Sequence, residues 1–417
     1  MVAENVLKGK RIVLGVTGSI AAYKAATLAS RLTQVGALVD VILTDAATRF
    51  VTPLTFRALT GRPVYASLWG EGVGDGLGMH IAHVGLGHGT DLLLIAPASA
   101  HTIARLAHGL ADDLLSITAL AARCPILVAP AMDAGMYEAP TTQANIETLR
   151  LRGVHFAGPA RGRMASGLEG LGRMLEPDEI IGHVRRVLGM GGPLRGRRVV
   201  VTAGPTREPL DPVRFISNAS SGRQGFALAQ AAIDAGADVT LITGPVDLPA
   251  PVGARRIDVI DAGSMEEAVL AHATGDNRAD ALIMSAAVGD FRPAQVAEQK
   301  IKKESLAGRR GTGLQIDLEV TPDVLSSVAR QPDRPLVTVG FAAESQNLIA
   351  NAQEKLRRKK LDLIVANDIT VPDAGFAAET NRVHLVTAEG AEALPLMSKE
   401  TVAAYVIDWV ARRLATR

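Results

Sequence analysis

The sequence predicts an α/β protein made of two doubly wound, mostly parallel-sheet domains, and three observations carry that prediction. At 417 residues the chain is too long for one ordinary core and fits two domains of about 200 residues each. Hydrophobic residues make up 47% of it but aromatics only 3%, so the apolar content is Ala, Val, Leu and Ile, with 41 Gly to serve tight strand-to-helix turns. Within each half, strand-like runs alternate with helix-like segments.

The first half opens with "KRIVLGVTGSIAAYKAATLASRLTQVGALVDVILTDAA" (10–47), which reads as strand, glycine turn, amphipathic helix, Gly36 stop and second strand. Ile12, Val13 and Leu14 form an unbroken apolar run, as expected of a strand covered on both faces. "DLLLIAPAS" (91–99) and "PILVAPAMD" (125–133) are the next strands, with "TIARLAHGLADDLLSITALAA" (102–122) helical between them. The second half repeats the plan in "RRVVVTAGPTREPLDPVRFISNASSGRQGFALAQAAIDAGADVTLITGP" (197–245), with a long loop between strand and helix and Gly236 at the helix end. "ADALIMSAAV" (279–288), "PLVTVGFAAE" (335–344), "LDLIVAND" (361–368) and "RVHLVTAE" (382–389) follow as strands, and "QNLIANAQEKLRRKK" (346–360) as a helix with a basic end. The glycine-rich, aperiodic "GMGGPLRG" (189–196) marks the boundary, giving domains 1–190 and 191–417. Such alternation implies mostly parallel sheets, with ligands at the carboxyl ends of the strands.

Composition narrows the function. A formal charge of +1 supplies no field for nucleic acid, and so few aromatics supply no stacking platform. The one cysteine, Cys124, cannot form an internal disulfide, which favours a reducing compartment; leading into an apolar run, it reads as inert packing. The N-terminus lacks the basic-then-apolar signal pattern, and no stretch approaches the ~20 apolar residues of a spanning helix. The expected location is cytoplasmic, with no membrane partner.

At the first turn, Gly15-Val-Thr-Gly18-Ser19-Ile20, the fingerprint G-x-G-x-x-G is absent, and the chain carries no G-x-x-x-x-G-K-[ST] loop. The turn still offers N–H groups and a helix dipole to one phosphate, or it is an ordinary βα turn; both readings stand. His80, His83 and His88 cluster without a nearby cysteine or carboxylate and fit no standard zinc spacing, so a single histidine acting as a base is favoured over a metal. The preceding "WGEGVGDGLG" reads as a flexible lid. In "FISNASSGRQG" (215–225), Asn218, Ser220, Ser221 and Gly222 precede a helix, as a cap, an anion site or both. "SAAVGDFRPAQVAEQKIKKES" (285–305) follows a buried strand with a cationic arm. Lys300, Lys302 and Lys303 could be a solvated loop, but Lys355 and Lys359 lie one helical turn apart on a later helix. Five lysines near one strand-end cleft suggest a triphosphate.

These segments resemble those of a known enzyme family. "VTAGPTREPLDPVRFISNASSGRQG", "AAVGDFRP", "KIKK", "GFAAE" and "LDLIVAND" closely resemble the phosphopantothenate–cysteine ligase domain of coenzyme A biosynthesis. "GVTGSIAAYK", "HVGLGHGTDLLLIAPAS", "PAMDAGMY" and "GLGRML" resemble its fused partner, phosphopantothenoylcysteine decarboxylase, an FMN flavoprotein. The resemblance implies a Rossmann-like ligase domain in which CTP, with Mg²⁺, activates the carboxylate of 4′-phosphopantothenate as an acyl-cytidylate. Cysteine then attacks through its amine and CMP leaves. It assigns Asn218 to the intermediate and Lys300 to the phosphates in the transition state. CTP contacts are implied at Met284, Ser285, Ala286, Asp290, Pro322, Asp323, Val324, Leu325, Phe341, Lys355 and Lys359. No protein ligand of the metal is implied.

For the flavoprotein half, the resemblance places FMN at Gly18, Ser19 and Ile20, near Thr44 and Ser99, with His83 as the essential histidine. Two positions depart from the family. Asp133 replaces an asparagine that recognises the substrate carboxylate, and Ser166 replaces a cysteine that commonly donates a proton in the last reduction. The alternative is therefore an active ligase whose flavoprotein half has lost or altered its decarboxylase activity and serves as a flavin-binding scaffold. By resemblance the chain forms homo-oligomers through trimeric flavoprotein and dimeric ligase contacts, as in a dodecamer.

Overall fold

In a computed structural model, residues 5–68, 82–302, 314–344, 347–368 and 380–417 are described, without the side chains of residues 82, 83, 343, 344 and 368. Contacts divide them into two units, Asn5–Gly189 and Met190–Arg417.

In the first unit β1 (Arg11–Val16) is buried from Ile12 onward. It leads through residues 17–21 into α1 (Ala22–Gln34), which buries Ala25, Leu28, Ala29 and Leu32 on one face. Gly36, at φ 90°, turns the chain where a side chain would be strained. Next come β2 (Leu38–Leu43), α2 (Asp45–Thr48), α3 (Pro53–Thr60), β3 (Val64–Tyr65), α4 (Ala82–His88) and β4 (Leu92–Ala98). The expected helix over 102–122 is two helices, α5 (Ala100–His108) and α6 (Leu114–Ala121). Gly109, left-handed, ends α5, and Asp113 with Ser116 forms a capping box that restarts the chain as α6. Then follow β5 (Ile126–Pro130), α7 (Ala134–Glu138), α8 (Pro140–Leu151), β6 (His155–Phe156), the antiparallel hairpin β7 (Ala160–Arg163)–β8 (Glu169–Arg173), and α9 (Pro177–Gly189). The six-stranded sheet runs β3-β2-β1-β4-β5-β6, parallel throughout. Its order reverses between β1 and β4, the point where an open α/β sheet leaves a crevice.

The second unit starts with β9 (Arg198–Ala203), a hairpin of β10 (Arg207–Pro209) and β11 (Phe215–Ser217), and α10 (Arg223–Asp234). It continues through β12 (Asp238–Thr243), β13 (Arg255–Asp258), α11 (Ala262–Ala273) and β14 (Ala281–Met284). A second hairpin pairs β15 (Phe291–Pro293) with β16 (Leu318–Val320) ahead of α12 (Val324–Ala329), β17 (Val337–Glu344), α13 (Leu348–Arg358) and β18 (Leu363–Asp368). Short β19 (Thr380–Asn381), β20 (Val383–Val386), β21 (Ala391–Ala393) and β22 (Met397–Ser398) precede the closing helix α14 (Lys399–Ala415). The main sheet, β13-β12-β9-β14-β17-β18-β20-β21, is parallel up to β18, and β20 and β21 run antiparallel at one edge. One face packs on α10 and α14 through residues such as Val201, Leu228 and Val406; the other meets α11, α12 and α13 through Ile242, Val269, Val328 and Leu356. Gly225 lets α10 rest on the end of β9, because a Cβ there would sit 2.4 Å from that of Ala203.

Candidate functional site

The loops after β1 and β4 are tied together at the first sheet's crevice. Thr17 Oγ1 donates to the Pro97 carbonyl at 2.8 Å and accepts from the Ser99 N–H at 3.0 Å. Gly18 lies against α2, where a Cβ would come 2.6 Å from that of Ala46. Thr44 caps α2 by accepting from Ala47 N–H, and Ser99 caps α5 by accepting from Thr102 N–H. Ser19 Oγ accepts from Ala21 N–H at 3.2 Å, while α1 begins without a side-chain cap. Gly18, Ser19, Ile20, Thr44 and Ser99 therefore meet at the carboxyl ends of the adjacent strands β2, β1 and β4. Ile20 is 61% exposed there, an apolar surface beside a helix start that lacks a side-chain cap.

Asp133 and Ser166 also come together. Asp133 caps α7, its Oδ1 accepting from Gly135 N–H at 3.2 Å. Ser166, in the turn of the β7–β8 hairpin, donates its hydroxyl to Asp133 Oδ2 at 2.6 Å. The hairpin lies flat on residues 132–134: Met132 N–H donates to the Gly172 carbonyl, and a Cβ on Gly172 would lie 2.4 Å from the Met132 carbonyl oxygen. The two positions set apart by the resemblance above are thus one hydrogen-bonded pair. His83 belongs to the first turn of α4, but its side chain, His80 and the glycine-rich stretch 69–78 lie outside the described residues. His88 is exposed at the end of α4, and among the described residues no three His, Cys, Asp or Glu side chains gather as a metal cage. Burial pushes the Cys124 thiol up, consistent with an unreactive packing role.

In the second unit a cleft of about 530 Å³ opens at the carboxyl ends of β14 and β17. Its floor, residues 284–290, is stitched to the end of β9. Ala286 N–H donates to Thr202 Oγ1 at 3.1 Å, Ala287 N–H to the Gly204 carbonyl at 2.9 Å, and Gly289 N–H to Thr206 Oγ1 at 2.9 Å. Asn218 donates its side-chain NH₂ to the carbonyls of Ala287 and Val288, at 3.3 and 3.1 Å, which fixes the orientation of its amide. Ser220 to Gly225 bring the start of α10 to one wall, and Pro322, Val324, Leu325 and Phe341 give the cleft an apolar side.

The cations gather opposite. Lys355, Arg358 and Lys359 all line the cleft, and Lys359 Nζ pairs with Asp323 Oδ1 at 3.0 Å. Burial pushes the Asp323 carboxyl up, but hydrogen bonds from Lys359 and Ser326 outweigh it and hold the group below the usual carboxylate range. Met284, Ser285, Ala286 and Asp290 line the same cleft. Lys300 does not: it is exposed and absent from the cleft wall. Lys302 is exposed as well, and Lys303 lies outside the described residues.

Sequence reasoning missed part of the lining. Arg223, Gln224, Asn381 and Lys399 reach it, linked by Gln224 Nε2 donating to the Lys399 carbonyl at 3.1 Å and Asn381 Nδ2 donating to Gln224 Oε1 at 3.0 Å. Lys399 is buried, and burial together with Arg223 pushes its ammonium down. Arg223 and Gln224 directly follow the "NASSG" motif and were within reach of it. Asn381 and Lys399 are brought in only by the tertiary fold.

Comparison with known proteins places this geometry. The family described as Flavoprotein matches residues 2–189, and the DNA/pantothenate metabolism flavoprotein C-terminal domain matches residues 194–414. The coenzyme A biosynthesis bifunctional protein CoaBC of Vibrio cholerae is 47% identical over 97% of this chain and 98% of its own. The Escherichia coli protein of that name is 45% identical over 98% of both. A solved C-terminal domain of a CoaBC protein, 35% identical, is covered in full and covers 54% of this chain, with a TM-score of 0.45. Similar to such relatives from end to end, the chain belongs to the family of coenzyme A biosynthesis bifunctional proteins.

Proposed function

We propose that the second unit joins cysteine to 4′-phosphopantothenate at the expense of CTP, and that the first unit, holding FMN, decarboxylates the product to 4′-phosphopantetheine. The observation that carries this reading is the cleft in which the start of α10, Asn218 and a row of cations face one strand-end floor. The helix start, Lys355 and Lys359 suit a nucleotide's phosphates, since N–H groups and ammonium groups both favour anions. Backbone groups at Met284–Ala287 suit the edge of a pyrimidine. The substrate carboxylate attacks the α-phosphorus and pyrophosphate leaves. The cysteine amine then attacks the acyl carbon and gives up a proton to solvent, and CMP leaves with the bonding electrons of the broken C–O bond. Asn218, its NH₂ held by two carbonyls, holds the acyl-cytidylate through its remaining amide oxygen. Mg²⁺ enters as the nucleotide's escort, keeping phosphate and water ligands.

The residues of the first crevice fit FMN. The N-terminal end of α1 and the hydroxyls of Ser19 and Ser99 suit its phosphate, and exposed Ile20 suits its ring. When bound, flavin supplies reversible two-electron oxidation of the substrate. His83, by resemblance, moves the proton. Asp133 and Ser166 present one hydrogen-bonded unit to the substrate side. A silent flavoprotein half is not favoured, because the match to bifunctional relatives spans both halves. Homo-oligomerisation and a cytoplasmic location complete the proposal; no helix among the described residues is long and apolar enough to cross a membrane.

The test is the absorbance spectrum of the purified protein, followed by product analysis with CTP, phosphopantothenate and cysteine. Bound flavin, CMP, pyrophosphate and CO₂ are expected. Flavin without CO₂ would leave only the ligase half of the proposal standing, and no CMP would remove that half.

A further inference from the structure

We infer that Asp211 is a positioning residue for Lys300: its carboxylate clasps the base of the lysine-bearing segment and sets where that ammonium can reach. The inference rests on the reading of Lys300 as a phosphate ligand. Asp211 sits in the turn of the β10–β11 hairpin with its side chain wholly buried. Its two oxygens have separate partners. Oδ1 accepts from the N–H groups of Val213 and Arg214, each at 2.8 Å, and so makes the turn. Oδ2 accepts from Ile301 N–H at 3.1 Å and from Arg214 Nη1 at 3.0 Å. The same Arg214 nitrogen donates to the Ile301 carbonyl at 3.0 Å, so Ile301 is gripped at both of its backbone groups. Ala297 N–H donates to the Leu210 carbonyl at 3.0 Å and ties the segment a second time.

An Asp turn needs one side-chain oxygen. Burying the second oxygen against a backbone 90 residues further along is therefore not turn chemistry. A buried carboxylate is tolerated only when fully hydrogen-bonded, and here each bond on Oδ2 ends at the peptide between two exposed lysines or at the arginine that grips it. Burial pushes the Asp211 carboxyl up, yet the N–H groups of Val213, Ile301 and Arg214 and the Arg214 guanidinium hold it below the usual range. The clasp is thus made by a carboxylate. With Ile301 fixed, Lys300 retains little more than side-chain freedom, which lowers the entropy lost when it meets a phosphate.

Asp211→Asn separates the two roles. The amide keeps Oδ1 for the turn but turns NH₂ toward Ile301 N–H and the guanidinium, setting donors against donors. The expected result is a fall of about 10- to 100-fold in kcat for CMP release, with KM for CTP changed less than about threefold. Hydrogen exchange at Ile301 should lose its protection while the amides of β9 and α10 keep theirs. In a Lys300→Ala background the same change should cost nothing further, because both act through one group. Ile301→Pro removes the N–H from the other side, leaves Asp211 intact, and should reproduce the fall if the Asn variant does not fold. A slow Lys300→Ala beside a normal Asp211→Asn overturns this inference alone, as does a loss that multiplies with that of Lys300→Ala. A normal Lys300→Ala overturns the reading of Lys300, and the inference with it.

Discussion

Replacing Lys359 by Met probes the proposed nucleotide site where its electrostatics are best defined. The ammonium is 3.0 Å from Asp323 Oδ1, and the lysine side chain is 13% exposed against 44% for the aspartate. The substitution removes one cation from the cleft and leaves Asp323 uncompensated. A charge-assisted contact to phosphate is worth about 1.5–3 kcal/mol, or about 10- to 150-fold in affinity. A carboxylate about 6 Å from a phosphate oxygen, at an effective dielectric of about 20, adds up to about 3 kcal/mol of repulsion before screening. KM for CTP should therefore rise by about 10² or more. Because the contact is present before and during reaction, kcat should stay within a few-fold. Adding Asp323→Asn should recover part of the loss. A pair this open contributes under about 1 kcal/mol to stability, so the melting temperature should fall by a few degrees at most. That contribution exists above the unfolded carboxyl's pKa and is lost as pH falls through the depressed value of Asp323, so assays near neutrality compare fully ionised pairs. The assay is steady-state CMP release with varied CTP, alongside thermal melting. An unchanged KM, or a fall in kcat alone, would refute this account of the site.

Lys300→Ala should slow acyl-cytidylate formation by about 10²–10³ while the fold survives, because the residue is exposed; normal CMP release would make the lysine segment a solvated loop. Asn218→Asp, which loses the donors to Ala287 and Val288, should accumulate the intermediate more than it weakens CTP binding, as a quench experiment with labelled substrate would show. ATP should replace CTP poorly, since a cleft edge suited to the donors and acceptors of a pyrimidine mispairs with a purine; equal turnover would contradict that. Asp133→Asn and Ser166→Cys, made singly, should divide the decarboxylase steps: more CO₂ from the first implicates carboxylate recognition, and more reduced product alone from the second implicates protonation. No gain from either, in a fully active protein, would show that the Asp133–Ser166 pair is its own solution.

The strands that build both crevices were legible because they are covered on both faces. The apolar runs at Ile12–Leu14, Leu92–Ile95 and Ala281–Met284 admit no other reading once glycines bracket their helices. The motifs that follow those strands landed on the crevices for the same reason, since a strand end can only deliver its loop to one edge of the sheet. What was illegible is short or non-local. The β10–β11 and β15–β16 hairpins have three-residue strands, too brief for a period to register. The antiparallel course of β20 depends on how its connection crosses the sheet edge, which alternation of strands and helices does not encode. Lys399 reaches the cleft from a helix start 175 residues beyond Gln224, whose side chain bonds its carbonyl. The lysines were read as one group by their number, yet only backbone geometry decides that Lys355 and Lys359 line the cleft while Lys300 stands outside it.

The position of α14 bears on how the protein is made. This last helix buries Val402, Val406 and Val410 in the core it shares with α10, and Lys399 at its start lines the cleft. The second unit's site is thus completed only by residues translated about 200 positions after β9 begins. The first unit ends with α9 at Gly189, ahead of every strand of the second. At ~5–20 residues per second, the stretch from Gly189 to Lys399 takes roughly ten to forty seconds to synthesise. On the ribosome, the first unit's crevice has time to form while the second unit's cleft still lacks a wall, and a message truncated before α14 leaves that cleft unfinished.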